Sequence, residues 1–151
     1  MYVIHIKHRR RLLVFCAALA ALTAALIFLL SGCLRKGDDA LHAPDHAARA
    51  AYLESLGWQV AAQEKETLDL LLPEKLDGSW ADYAAMQTNQ GLPFAEFAGR
   101  QVRRYTYPVV NYPGRDDVQV NLFLCDDEII GGDVIAVGQD GFRADLTFPE
   151  T

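Results

Sequence analysis

Carboxylates are the most abundant side chains in this sequence that could do chemistry. Twenty Asp and Glu residues stand against 14 Lys and Arg, and several of the acids are adjacent in the chain. Paired carboxylates can act as acid and base in glycoside hydrolysis, or can supply oxygen ligands to Ca²⁺. Here the adjacent acids lie in segments typical of turns, where Asp is favoured because its side chain bonds nearby backbone N–H groups. We therefore interpret them as turn residues; they are Asp116, Asp117, Asp126, Asp127 and Glu128.

Histidine and cysteine chemistry is limited by where these residues lie. No His follows His46, so the C-terminal two thirds of the chain lack the base that a Ser or Cys nucleophile requires. Cys125 is the one Cys after Cys33 and is interpreted as a residue that packs in a strand. His42 and His46 are four residues apart, but two His without a third ligand make a weak metal site. We predict no catalytic residue, no metal site and no cofactor.

A second group of polar residues lies within predicted strands and is the candidate ligand-binding site. A polar sheet face flanked by Tyr and Phe could bind a peptide or a sugar. The same pattern is also typical of a solvated sheet face, or of a hydrogen-bonded network beneath a helix, and these alternatives stay open. The candidate residues are Arg104, Thr106, Gln119, Asn121 and Asp133.

These residues belong to segments with strand patterns. Residues 102–110 are rich in strand-forming types, and Pro108 is expected at an edge or a bulge because it has no N–H to donate. Residues 118–125 alternate strictly between two faces. In residues 128–137, Gly131-Gly132 indicates a bulge or a close approach of another group to the backbone. The three segments predict consecutive antiparallel strands.

Two helices are predicted before these strands. The first runs from Asp45 to Leu56 and is stopped by Gly57, and the second has Ser79 as its N-cap and ends before Gly91. An extended segment at residues 67–72 separates them. The predicted fold class is α+β: two helices packed on an antiparallel sheet of about four strands, preceded by an N-terminal membrane helix or lipoprotein signal.

A long apolar segment near the N-terminus predicts where the protein works. The 19 residues from Leu12 to Leu30 carry no charge, and Thr23 is the one polar interruption. A helix of that length spans roughly 28 Å, about the thickness of the hydrocarbon core of a bilayer. Four Lys and Arg residues precede the run, within residues 7–11. Because such charges favour the cytoplasmic side, residues 34–151 are expected outside the plasma membrane, on its extracytoplasmic side.

The end of the apolar run resembles the lipobox of a bacterial lipoprotein signal. In Leu30-Ser31-Gly32-Cys33 an apolar residue and two small residues precede a Cys, which in lipoproteins is acylated after cleavage. The basic residues before the run also fit a signal peptide, whereas the length of the run fits an uncleaved membrane helix better. Lipidation of Cys33 and retention of residues 12–30 as a transmembrane helix therefore both remain open. Either anchor would hold the chain, since acyl chains bind with about 0.8 kcal/mol per buried CH₂.

The remaining chain is acidic and long enough for one domain. Residues 33–151 contain ten Lys and Arg and twenty Asp and Glu, a formal net charge of −10. Nucleic-acid phosphates repel such a surface, so a nucleic-acid partner is excluded. We predict a signal or membrane anchor at residues 1–33, a polar tether at 34–44 and an extracytoplasmic α+β domain at 45–151.

Several short blocks of sequence, in a fixed order, carry a resemblance to a known family. They resemble an uncharacterised family, number 4830 in the domain-of-unknown-function series, found in membrane-anchored proteins of Gram-positive, often gut-dwelling, bacteria. The resemblance covers residues 47–146 and implies an extracytoplasmic domain behind a single anchor. It implies no reaction, cofactor or catalytic residue. The blocks are Gly57-Trp58-Gln59-Val60, Arg104-Tyr105-Thr106-Tyr107, Asn111-Tyr112-Pro113-Gly114, Val120-Asn121-Leu122, Ile130-Gly131-Gly132-Asp133-Val134 and Asp140-Gly141-Phe142.

These patterns together predict a membrane-anchored extracytoplasmic module that binds a protein, peptide or sugar of the cell envelope without catalysing a reaction. The alternative is a cell-envelope enzyme or enzyme inhibitor that works through its surface carboxylates.

Overall fold

The computed structural model describes residues 41–138 and 140–149 of the chain. The predicted anchor at residues 1–33 lies outside the described residues, as do residues 34–40 of the predicted tether. Among the described helices, none has the length and apolarity needed to cross a bilayer. The last residues before the first helix contact the domain: Ala43 is buried, and its N–H donates to the Asp127 carbonyl oxygen over 2.7 Å.

The described residues form two α-helices, a short 3-10 helix and five strands. All five strands belong to one antiparallel sheet, in which each strand pairs with its neighbour in the chain, in the order β1-β2-β3-β4-β5. The α+β class is confirmed. The sheet has five strands rather than about four because a two-residue strand near the C-terminus joins it. The elements are α1 (His46–Ser55), β1 (Glu66–Leu71), α2 (Ser79–Asn89), the 3-10 helix (Phe94–Phe97), β2 (Gln101–Pro108), β3 (Val118–Cys125), β4 (Glu128–Ala136) and β5 (Arg143–Ala144).

Both predicted helices are present, with one correction at an N-cap. Asp45 caps α1, since its side chain accepts the Ala48 N–H over 2.9 Å. After α1 the chain turns at Gly57, whose φ of +94° lies in the left-handed region that favours glycine. Ser79, expected as the N-cap of α2, is instead its first residue. Gly78 is the N-cap, because its φ of +53° turns the chain into the helix one residue earlier, and it provides no side-chain cap.

The turns between the central strands follow from their residue types. Asp126 and Asp127 connect β3 to β4 with φ values of +50° and +67°, which is the left-handed pair that a two-residue hairpin turn requires. Pro108 is the last residue of β2 and lies beyond the part of β2 that pairs with β1. Its missing N–H therefore leaves no gap in the β1–β2 ladder.

The two helices pack on opposite faces of the sheet. On the first face, Leu53 of α1 lies in a buried cluster with Val120 and Leu122 of β3. Trp58 belongs to the same cluster, and its Nε1–H donates to the Leu146 carbonyl oxygen over 2.7 Å. This bond joins the segment after α1 to the C-terminal segment, so both ends of the domain close over one face.

On the second face, α2 and the 3-10 helix pack through aromatic rings. The Phe94 ring contacts Tyr83 of α2 at 5.0 Å between ring centroids and Phe123 of β3 at 5.7 Å, both edge-on. Offset and edge-on contacts of this kind add roughly 0.5–1.5 kcal/mol each beyond the area they bury. They hold α2 over the middle of the sheet.

Gly131 and Gly132 lie next to a bulge and also allow a close approach to the backbone, the two features that the sequence indicated. The β3–β4 pairing passes over Ile130, which is the extra residue of a bulge. A Cβ atom added at Gly131 would lie 2.8 Å from the Phe94 ring, and one added at Gly132 would lie 2.9 Å from the Asn121 carbonyl oxygen. The two glycines therefore let the 3-10 helix and the neighbouring strand approach the β4 backbone.

Candidate functional site

One cross-strand row of polar residues runs over the sheet face that α2 covers. The register pairs Glu66 with Thr106, Thr106 with Asn121, and Asn121 with Asp133. We call these four residues the polar row. Thr106, Asn121 and Asp133 are buried, and Glu66 at the end of the row is exposed. Antiparallel pairing thus brings four distant positions of the chain into one line.

The buried members of the polar row are joined by hydrogen bonds. The Thr106 hydroxyl donates to Asn121 Oδ1 over 2.7 Å, and Asn121 Nδ2 donates to Asp133 Oδ1 over 2.6 Å. A buried polar group without a partner costs about 1–3 kcal/mol, whereas a completed hydrogen bond contributes about 1 kcal/mol. The row is therefore a hydrogen-bonded network beneath a helix, and it holds the Asp133 carboxyl group in one orientation.

Asp133 is a buried acid that forms an ion pair with Arg143. It is 2% exposed, and its Oδ2 lies 3.0 Å from Nε of Arg143 on β5. Burial raises the pKa of this carboxyl group, while the hydrogen bond from Asn121, the charges of Arg143 and Arg104 and the nearby Tyr83 hydroxyl act against that rise. Both carboxylate oxygens are thus occupied by groups of the protein.

Arg104 lies on the same sheet face as the polar row, two residues before Thr106 in β2. Its Nη2 donates to Glu66 Oε2, so it is paired with the exposed end of the row. Its Nε is buried and has no hydrogen-bond partner among the described residues. Arg104 therefore keeps a buried donor that no described residue uses.

Tyr83 contributes a second buried donor, from α2. Its hydroxyl oxygen makes no hydrogen bond of ordinary geometry to a described residue, although Asp133 lies near enough to act as its acceptor. Burial raises the pKa of this hydroxyl, and the nearby Asp133 carboxylate raises it further, as a charge and as an acceptor, so the phenol keeps its proton and remains a donor. The guanidinium of Arg143 lies 5.7 Å from the centre of the Tyr83 ring.

These residues line a pocket between the first turn of α2 and the sheet, with a volume of about 240 Å³. We call it the α2 pocket. Apolar side chains of β1, α2 and β3 form part of its lining. Polar side chains form the rest and include the end of the hydrogen-bonded network. The apolar lining is Leu68, Leu70, Trp80 and Phe123, and the polar lining is Ser79, Tyr83, Arg104, Asn121, Asp133 and Arg143.

The structure brings most of the candidate ligand-binding residues together. Arg104, Asn121 and Asp133 line the α2 pocket, and Thr106 lies beneath it through its bond to Asn121. Gln119 is paired with Pro108 and Ile135 at the next position along the sheet, and it does not line the pocket.

Sequence reasoning missed three polar residues of the pocket. Tyr83 lies on the face of α2 that packs on the sheet, and its helical spacing says nothing about its hydroxyl. Ser79 was interpreted as a cap. Arg143 follows a turn and belongs to a strand of only two residues, so no periodic pattern marks it.

A larger depression on the opposite face of the sheet has most of its charged side chains in ion pairs. It is lined in part by Asp69, Arg103 and Asp126. Arg103 Nε donates to Asp69 Oδ1 over 2.6 Å, and Asp126 Oδ2 accepts from Arg100 Nη2 over 2.9 Å. None of its lining residues has a buried polar atom without a partner among the described residues. The α2 pocket is therefore the stronger candidate.

The remaining chemical candidates are occupied in structural roles. Cys125 is buried, and burial raises the pKa of its thiol, which makes the nucleophilic thiolate scarcer. Asp117 accepts two hydrogen bonds from Arg115, over 2.8 and 2.7 Å, and one from the Gly138 N–H. Within residues 41–138 and 140–149, no group of three or more His, Cys, Asp or Glu is arranged to hold a metal ion.

The fold and the pocket define a small α+β domain with a polar pocket beneath one helix. The chain belongs to the family described as domain of unknown function DUF4830, whose family model matches residues 52–134. The matched segment contains the whole polar row and ends one residue after Asp133, before Arg143. No curated protein and no solved structure shows a significant match to the chain.

Proposed function

We propose that this chain is a membrane-anchored extracytoplasmic module that binds a ligand of the cell envelope in the α2 pocket and catalyses no reaction on it. The observation that carries the proposal is the Arg104 Nε–H, a buried donor on a residue that lines the pocket, which has no hydrogen-bond partner among the described residues. Buried polar groups are almost always hydrogen-bonded, and the exceptions call for an explanation. A ligand that completes this hydrogen bond supplies one.

The polar side chains of the pocket are held in place by other residues, which supports a preformed binding site. The polar row fixes Asp133, Asp133 orients Arg143, and Glu66 orients Arg104. Side chains held in this way lose little conformational entropy when a ligand arrives, which favours affinity. The apolar side chains of the lining add a surface that a ligand can cover.

The alternative, an enzyme or inhibitor acting through its carboxylates, has one observation on its side. Asp133 is a buried acid whose pKa is raised by burial, as is common for catalytic acids. Its two oxygens, however, already accept from Asn121 and face Arg143. A general acid or base needs an oxygen within reach of the substrate, so the geometry favours binding.

The location of the module rests on the sequence. The apolar run from Leu12 to Leu30, the basic residues before it and the lipobox-like Cys33 support an anchor in the plasma membrane with the domain on the extracytoplasmic side. A pocket displayed there meets peptides and sugars of the envelope, which supports ligands of those classes over nucleotides or nucleic acids.

Thermal unfolding in the presence of envelope fractions tests the proposal. The full-length chain, solubilised in a nonionic detergent, is heated with fractions of a cell-envelope extract. At a concentration 100 times Kd, a ligand stabilises the fold by about 2.7 kcal/mol, which raises Tm by several degrees. We expect at least one fraction to do so.

Two matched variants assign that effect to the pocket. Leu68→Trp enlarges a side chain that lines the pocket and is already 42% exposed, so it blocks the pocket at little cost in stability. Leu71→Trp makes the same change three residues along, at a position outside the pocket that is 70% exposed. The Tm rise should be lost in the first variant and kept in the second. A rise that survives Leu68→Trp, or no rise with any fraction, would contradict the proposal.

A further inference from the structure

The unsatisfied polar groups around the α2 pocket have one chemistry in common. The Arg104 Nε–H is buried without a partner, and an Arg side chain can donate but not accept. The Tyr83 hydroxyl keeps its proton and makes no hydrogen bond of ordinary geometry, although Asp133 lies near enough to act as its acceptor. The buried acceptors of the pocket are already engaged: Asp133 by Asn121 and Arg143, and Asn121 Oδ1 by Thr106. The buried Arg104 donor therefore lacks an acceptor, and a fitting ligand brings one.

The charges of the pocket limit the charge of that ligand. Two guanidinium groups, Arg104 and Arg143, face two carboxylates, Glu66 and Asp133, so the site is formally neutral. A single negative charge gains charge-assisted hydrogen bonds from the two Arg side chains. A doubly charged phosphate group would add repulsion from both carboxylates at close range. The balance favours a singly charged carboxylate.

The apolar part of the lining adds a second requirement. It consists of Leu68, Leu70, Trp80 and Phe123, and Arg104 lies between Leu68 and Phe123 in the sheet. The pocket volume of about 240 Å³ is below the roughly 300–1,000 Å³ of sites for drug-sized ligands. It suits one apolar side group next to the carboxylate rather than an extended molecule.

We propose that the α2 pocket recognises a carboxylate attached to a single apolar side group, with the carboxylate bound between Arg104, Arg143 and the Tyr83 hydroxyl. This inference rests on the proposed function, because it names the chemistry of the ligand bound at the same site. Such a carboxylate occurs at the C-terminus of a peptide that ends in an apolar residue, and also in a free aliphatic acid.

Ligand-detected NMR titration of the full-length chain in detergent tests the proposed carboxylate recognition with four probes. N-acetyl-leucine presents the end of a peptide, and 4-methylpentanoate presents the free acid. N-acetyl-leucinamide has the same shape as the first probe without the charge, and isopentyl phosphate replaces the carboxylate by a phosphate. We expect the two carboxylates to bind, and the amide and the phosphate to bind at least tenfold more weakly. The stronger of the two carboxylates then identifies the source of the ligand.

Three variants connect the binding to named groups. Tyr83→Phe removes only the hydroxyl, and Arg104→Gln removes the charge while its partner Glu66 stays exposed to solvent. Because hydrogen bonds to charged groups contribute roughly 1.5–3 kcal/mol, each variant should weaken N-acetyl-leucine about tenfold or more. Arg103→Gln is the matched control, since Arg103 is adjacent in the chain but paired with Asp69 on the opposite face. It should bind the probe as the wild type does.

The outcomes separate this inference from the proposed function. Equal binding of the amide and the carboxylate overturns the inference, as does unchanged binding in both Tyr83→Phe and Arg104→Gln. If no probe binds but an envelope fraction still raises the Tm of the wild type and not of Leu68→Trp, the carboxylate inference is wrong and the proposed function stands. If neither the probes nor any fraction act, both are wrong.

Discussion

Asp117 and Asp133 show how one residue type acquires opposite properties from its surroundings. Asp117 lies in the loop before β3, where Arg115 and the Gly138 N–H donate to it and lower its pKa to about 2. Asp133 lies in the middle of the sheet, where burial raises its pKa. Folding therefore favours the charged form of Asp117 and disfavours the charged form of Asp133. The two acids contribute to the pH dependence of stability with opposite signs.

The sign for Asp117 leads to a prediction. Between its ordinary pKa of 3.8 and the folded value of about 2, the unfolded chain binds a proton at this position more readily than the folded chain does. The stabilising contribution of Asp117 is therefore complete above pH 3.8 and is lost as the pH falls through about 2. Asp117→Asn should lower the free energy of unfolding at pH 7, and its difference from the wild type should shrink steadily as the pH falls from 5 towards 2, as measured by urea unfolding.

The neighbouring residue provides the control for this prediction. Asp116 is exposed, and no described residue forms a hydrogen bond or ion pair with its side chain. Asp116→Asn changes the net charge of the chain by the same amount, so it reports the effect of charge alone. A difference between Asp117→Asn and the wild type that stays constant from pH 7 to pH 2 would show that the Arg115 pair does not lower the pKa.

At the scale of elements, β4 has an edge that no full strand covers. β5 pairs only with Val134 and Ile135, so the earlier part of β4 needs other partners. Gln87 and Gln90 provide them: Gln87 Oε1 accepts the Gly132 N–H over 2.8 Å, and Gln90 Nε2 donates to the Gly132 carbonyl oxygen over 3.2 Å. The end of α2 thus replaces a missing strand through side-chain amides.

Removing one of these amides should destabilise the fold. In Gln90→Leu the Gly132 carbonyl oxygen loses its donor, and the Leu146 N–H loses Oε1, its acceptor at 2.7 Å. Leaving buried backbone groups unpaired costs about 1–3 kcal/mol, and we expect a loss in that range in urea unfolding. Hydrogen exchange of the Leu146 amide should accelerate with it. Asn89→Leu, an exposed change one residue earlier, should alter neither, and unaffected Leu146 exchange in Gln90→Leu would contradict the edge role.

The helices, the central strands and the alternation of residues between the two sheet faces could be predicted, because each follows from local residue patterns. Asp45 and Gly57 delimit α1, the strict alternation of residues 118–125 orients β3, and Gly131-Gly132 indicates the bulge that lies next to them at Ile130. Arg104, Asn121 and Asp133 share one face because the period-2 spacing within each strand is combined with the register between strands. The predictions from local patterns need no knowledge of distant contacts, and for that reason they hold.

The parts that could not be predicted depend on contacts between distant residues. Arg143 reaches Asp133 through a two-residue strand, which is too short to have a period. Gln119 shares the face of Asn121, but alternation along a strand does not reveal how far a helix covers that face. Whether the Tyr83 hydroxyl finds a hydrogen-bond partner depends on which distant residues surround it, and a linear pattern cannot show that.

At the scale of the whole molecule, the described domain and the predicted anchor carry separate parts of the proposal. The family match at residues 52–134 and the α2 pocket both belong to the domain. The proposed location depends entirely on the sequence of residues 1–33, with its basic residues, its apolar run and Cys33. A ligand in the envelope can meet the pocket only if that segment directs the chain across the membrane and holds it there.

Fatty-acid labelling distinguishes the two possible anchors. If the lipobox-like end of the apolar run is processed, Cys33 receives the acyl chains, and a chain expressed in bacteria with radiolabelled palmitate becomes labelled. Cys33→Ala should then abolish labelling, while Cys16→Ala, a matched change within the apolar run, should keep it.

Mass spectrometry provides the second measurement, because a processed chain begins at Cys33 and lacks residues 1–32. Since an acyl chain contributes about 0.8 kcal/mol per buried CH₂, the processed chain should stay in the membrane fraction at high salt. Equal labelling of the wild type and Cys33→Ala, with residues 1–32 still present, would instead favour an uncleaved transmembrane helix at residues 12–30.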